Sequence, residues 1–141
     1  MTDLKLIALD AEDLDVIAAT TQDAIVRVGD MGYARADRRF ALLMNRFAWE
    51  EGQGRHGIRK RAALHFERVT AVKIAGFDPN AQDGMLELLT LRFTETAAPS
   101  GHVDLAFAGG ATIRLEVEVL EARLADLGAA WAAKAKPEHA L

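Results

Sequence analysis

The stretch HVDLAFAGGATIRLEVEV, residues 102–119, decides the fold class. Val103, Leu105 and Phe107 alternate with polar or small residues, and Gly109-Gly110 follows as turn chemistry. Ala111, Ile113, Leu115, Val117 and Val119 then resume the alternation. Period-two patterning on both sides of a Gly-Gly pair predicts a β-hairpin with one buried face. The segment before it reads alike. Met85, Glu87, Leu89, Leu91 and Phe93 are expected on one side of a strand, with Leu86, Leu88, Thr90 and Arg92 on the other. Pro79-Asn80 supplies the turn ahead of that strand.

Further upstream the signals alternate between helix and strand. Leu4 to Leu9 is a short apolar opening strand, and Asp10 is placed to cap a helix. Leu9 and Leu14 have the spacing of a hydrophobic staple, and Leu14, Ile17, Ala18, Thr21 and Ile25 form a helical stripe. The spacing predicts a helix over about residues 11–23. Arg39 to Trp49 reads as a strand after a turn at Ala34 to Arg38, and Glu51 to Lys60 as a polar loop. Ala62 to Ala75 fits either period; the β-branched run Val69, Thr70, Val72, Ile74 favours strand.

Beyond Val119 the period changes again. Val117, Leu120, Leu124, Leu127 and Trp131 carry helical spacing, which predicts a C-terminal helix over residues 120–133, an extended strand being the other reading. Gly128 interrupts that helix. The expected class is α+β: a mainly antiparallel curved sheet of six or seven strands with an N-terminal and a C-terminal helix. A pleckstrin-homology-like roll is the preferred form, and a half-open sheet with both helices on one face the alternative. Residues 1–141 are expected to be a single domain.

Composition excludes several functions. The chain has no cysteine, which removes disulfides, thiol catalysis and thiolate metal sites. No apolar run approaches a membrane span, and no secretory leader is evident at Met1 to Lys5. These features fit a bacterial cytoplasmic protein. The net charge of −4 argues against a general nucleic-acid binder. Its distribution is uneven, because residues 35–73 are basic and both flanks are acidic.

Catalytic and cofactor motifs are weak. Gly52-Gln53-Gly54-Arg55-His56-Gly57 matches G-x-G-x-x-G, yet it lies among charged residues and leads into a strand-like segment. A dinucleotide site needs those glycines to open a helix, so no cofactor is expected. His56, His65, His102 and His139 lack helix-borne metal spacing. Ser100, the single serine, has no nucleophile elbow. The remaining candidate is an anion-binding rim of Arg55, Arg59, Lys60 and Arg61 on the polar loop, with Arg38, Arg39, Arg46, Phe47 and Trp49 nearby.

Four segments carry a family resemblance: LKLIALDAEDLDVI (residues 4–17), RFALLMNRFAWE (39–50), LHFERVTAV (64–72) and FAGGATIRLEVEVLEARLADLG (107–128). Together they resemble the bacterial domain-of-unknown-function family 2948. The resemblance implies a small single-domain protein and transfers no site residue. The expected function is a non-catalytic binding or assembly module, with another copy or a different protein as partner. The alternatives are a small enzyme for an anionic substrate, using His65, or His102 with Asp104, beside arginines from 38 to 61, and polyanion or nucleic-acid binding through the basic segment 35–73.

Overall fold

The computed structural model describes residues 3–48 and 59–128. Its elements are β1 (Lys5–Ala8), α1 (Ala11–Thr21), β2 (Ile25–Arg27), β3 (Met31–Ala34) and β4 (Arg39–Phe47). After these come β5 (Arg59–Phe66), β6 (Val69–Ala75), β7 (Met85–Glu95), β8 (Gly101–Phe107), β9 (Thr112–Val117) and β10 (Ala122–Asp126). Helix α1 starts where the cap predicts, with the Asp13 N–H donating to Asp10 Oδ1 at 2.8 Å. Leu14 and Ile17 are buried, whereas Leu9 stays exposed instead of stapling the turn. The helix packs against β7 and β1.

The ladder order is β1-β10-β5-β4-β2-β7-β8-β9-β6, with β3 added on β4. Each of these pairings is antiparallel. Strands β5 and β6 stand far apart in that order, which in a flat sheet would separate them by about 29 Å at about 4.8 Å per strand. Only Glu67 and Arg68 join them, a reach of about 11 Å. The sheet must therefore roll back on itself. Backbone hydrogen bonds seal the crossing: Glu67 N–H to Glu121 O at 2.9 Å, Glu118 N–H to Arg68 O at 3.1 Å, and Val69 N–H to Arg38 O at 2.8 Å. One continuous core fills the roll, with Phe40, Leu64, Phe66, Leu105 and Leu115 at its centre.

The expected α+β class and curved antiparallel sheet hold in outline. The finer expectations need correction. Ten strands are present among the described residues instead of six or seven, and α1 is the one α-helix there. Residues 122–126, expected in a C-terminal helix, form β10, hydrogen-bonded to β1 on one side and β5 on the other. Its inward positions are Ala122, Leu124 and Asp126, so a small residue and an acid conceal the alternation that would have announced a strand. The pleckstrin-homology-like closure by a helix is thus replaced over these residues by an interior strand. Residues 129–133 of the expected helix lie outside the described residues.

Three smaller differences have local causes. In β7 the register shifts between Leu88 and Thr90. Leu88 and, past the irregularity, Leu91 face the core, while Met85 and Leu89 are exposed. One extra residue inverts the parity of everything beyond it. The extended stretch 62–75 is split into two strands by a turn at Glu67-Arg68, where Arg68 adopts φ 56°. The Gly109-Gly110 hairpin forms with both glycines at positive φ, although Phe107 N–H closes it on Ala111 O, a wider loop than two residues.

Two substitutions test this reading. Leu124→Ala is expected to cost about 2–5 kcal/mol in urea unfolding, whereas Arg123→Ala, on the outer side of the same strand, should leave stability nearly unchanged. Arg68→Gly relieves a left-handed non-glycine residue whose 3.7 Å contact with Glu121 is exposed. It is expected to raise stability by about 0.5–1 kcal/mol, read as a higher urea midpoint at constant slope.

Candidate functional site

The interior of the roll is apolar until one end, where three charged residues take inward positions. Arg46 continues the parity of Phe40, Leu42 and Met44 in β4. Lys60 does so in β5, and Asp126 in β10. Arg46 Nε and Nη2 meet Asp126 Oδ1 and Oδ2 at 2.8 Å each, and both side chains are fully buried. Arg46 Nη1 donates to Phe47 O at 3.0 Å, and Leu4 N–H donates to Asp126 Oδ2 at 2.9 Å. Burial opposes ionisation of Asp126. The hydrogen bonds from Arg46 and Leu4, with the charges of Arg46 and Lys60, outweigh it and hold the carboxyl below the ordinary aspartate range.

This geometry divides the predicted anion-binding rim. Arg59, Lys60 and Arg61 lie on strand β5, not on a loop, so alternation sends Lys60 inward and its neighbours outward. Arg59 stacks its guanidinium 3.8 Å from the Phe47 ring centroid and donates to Asn45 O at 3.2 Å. Arg61 is 3.1 Å from Asp30 Oδ2 and 3.3 Å from Asn45 Oδ1. Asp30 is itself buried and also receives Arg27 at 3.1 Å. Arg55, Trp49 and the Gly52 to Gly57 motif lie outside the described residues, as do His56 and His139. The described members are engaged within the protein and do not converge.

The histidines are also separated. His65 Nδ1 lies 2.7 Å from Glu67 Oε2, which accepts from Arg39 Nε at 2.7 Å. Burial raises the Glu67 pKa, but the Arg39 and His65 contacts prevail and lower it. Glu67 lines a charged hollow of about 320 Å³ at the crossing of the roll, with Asp37, Arg38, Arg68, Glu118 and Glu121. His65 is not in that wall. On β8, His102 stands 3.6 Å from Asp104, whose carboxylate is gripped at 2.7 and 3.1 Å by Arg114. The gathering of histidine, carboxylate and arginine in one pocket that the enzyme alternative calls for does not occur in this hollow. Among the described residues, no three His, Asp or Glu side chains converge as metal ligands.

A second hollow has a different character. Among the described residues, strand β3 pairs with β4 alone, and β6 with β9 alone. The free edge of β6 borders a space of about 340 Å³ lined by Thr70, Ala71, Val72 and Ile74, together with Tyr33 of β3 and Arg35 of the turn that follows it. At one end Tyr33 Oη donates to Val69 O at 2.6 Å, and the Val69 N–H reaches Arg38 O. Beyond that end the β6 edge borders the hollow, and no strand pairs with it among the described residues. Arg35 forms no ion pair with any described residue.

One family model matches the chain, over residues 4–139: Protein of unknown function (DUF2948). The chain belongs to that family. No curated protein and no solved structure gives a significant match. The family therefore assigns no site, and the geometry must select one. Sequence reading did not single out Tyr33, Arg35, Val72 or Ile74, because an unpaired edge is defined by what does not lie beside it. The Arg46–Asp126 pair had a usable signal: Arg46 falls on the inward parity of a strand whose other inward residues are Phe40, Leu42 and Met44.

Removing one partner of the buried pair leaves the other charged and unmatched. Asp126→Ala is expected to cost about 3–5 kcal/mol near pH 7, and Arg46→Leu combined with Asp126→Leu to recover most of it. The folded-state pKa of Asp126 is depressed, so its contribution is complete above the unfolded value of about 3.9 and disappears as pH falls through the folded value. Urea midpoints of the wild type should therefore drop below about pH 4 more steeply than those of Asp126→Asn.

Proposed function

We propose that this chain is a non-catalytic binding module whose partner is a protein. The observation that carries the reading is the hollow along β6, whose second edge pairs with no strand among the described residues. A sheet edge is a template for another chain, and an edge shaped into a concave site is a binding surface. The chemistry-bearing side chains support the same reading. Arg38 pairs with Glu118, Arg39 with Glu67, Arg46 with Asp126 and Arg61 with Asp30. Three of these four pairs reach the acidic flanks, so the basic middle segment largely serves its own chain. The absence of cysteine supports a cytoplasmic setting, and the alanine and arginine content a bacterial source.

A second reading, an enzyme for an anionic substrate, has one observation behind it. The His65–Glu67 contact leaves Nε2 as the ring nitrogen available to a ligand. Titration of the labelled His65 ring with inorganic phosphate separates the readings. A saturable shift would favour the enzyme, and an unmoved ring at millimolar phosphate would remove it.

The binding module is tested by affinity purification of the intact chain from its native host, with light scattering at low and high salt. A protein recovered in stoichiometric amount with the wild type, and lost with Arg35→Glu/Val72→Lys, is the expected outcome. A monomer at every salt concentration that captures no protein would overturn the reading.

A further inference from the structure

We infer that the hollow along the free edge of β6 takes an extended segment of a partner protein as an added strand, with an acidic residue beside Arg35 and apolar residues over Val72 and Ile74. This rests on the binding-module reading and names its ligand. Four observations point to a peptide backbone. The long wall is the β6 edge, whose donors and acceptors repeat at a spacing that another extended chain reproduces. Val72 and Ile74 are two residues apart on β6, so alternate side chains of an added strand would pack over them. Both are half-buried apolar residues against the core. Arg35, exposed at the wall and without an ion pair among the described residues, supplies the charge complementarity.

The free run of β6, Thr70 to Ala75, spans about 20 Å, which suits a segment of about six residues.

The test is selection of a phage-displayed random nine-residue library on the immobilised full chain, followed by titration of an enriched synthetic peptide into isotope-labelled protein. Enriched sequences are expected to carry one acidic residue and alternating Val, Ile or Thr. Amide signals of Tyr33 and of Thr70 to Ala75 should shift and exchange more slowly with solvent. N-methylation of alternate peptide residues removes donors to one edge and should weaken binding about tenfold or more. Arg35→Glu should weaken an acidic peptide by about two- to fivefold, with recovery when the peptide acid is replaced by lysine. Failure to enrich any peptide, binding indifferent to N-methylation, shifts confined to other elements, or a homodimer closed through this cleft would each overturn the inference. If affinity purification still recovers a protein partner in that case, the binding module stands and only strand addition falls. If it recovers none, both fall.

Discussion

The two-residue passage through Glu67-Arg68 constrains the molecule more than any other feature. It carries the chain from β5, in one half of the sheet, to β6, at the far end of the ladder. Short connections cannot reach across a flat sheet, so the passage and the roll are one fact. The cost appears locally as Arg68 at φ 56°, and Arg38, across the crossing, has φ 52°. Backbone bonds from Glu67, Val69 and Glu118 hold both in place. Non-glycine residues persist in the left-handed region when their surroundings over-determine them, and here three chain segments meet.

From that passage the polar architecture follows. The roll brings β4, β5 and β10 side by side, so residues distant in sequence share one inward layer. At its end the layer holds Arg46, Lys60 and Asp126. Neutral replacements of similar volume often match a buried ion pair in stability, so its value here lies in geometry. The bidentate contact fixes β4 against β10, and the bond from Leu4 to Asp126 ties in the residue that leads into β1. A one-residue slip of β10 would turn Asp126 outward and strand Arg46 inside. The pair thus enforces the register of a strand whose own alternation is weak.

How much of this was legible depends on what each signal measures. The cap at Asp10 and the alternation of residues 103–117 are local and repeat one clear period, and both read correctly. Ala122 and Asp126 are inward residues that do not look inward, and Leu120 and Leu124 supply a helical spacing by coincidence, so β10 was misread. The irregularity at Leu88 to Thr90 inverts parity without a glycine or proline to mark it. The separation of Lys60 from Arg59 and Arg61 was recoverable by extending the strand read from Ala62 three residues toward its N-terminus. The β3–β6 hollow was not recoverable, because it is a product of strand order and no residue in it has unusual chemistry.

The same strand order explains how a chain can leave edges unpaired without inviting disorderly association. Unprotected edges usually nucleate pairing between molecules. Here β3 is only four residues long, and Tyr33 and Val69 close one end of the gap. Lys73 on β6 keeps a charge at the exposed face, held by Glu116 at 3.5 Å. Tyr33 and Arg35 border the space beside the β6 edge and narrow what can join it. On the proposed reading, that shape converts a general liability into selectivity with main-chain groups and two half-buried apolar residues. Such a surface would carry little of the chemistry by which a sequence usually declares its function.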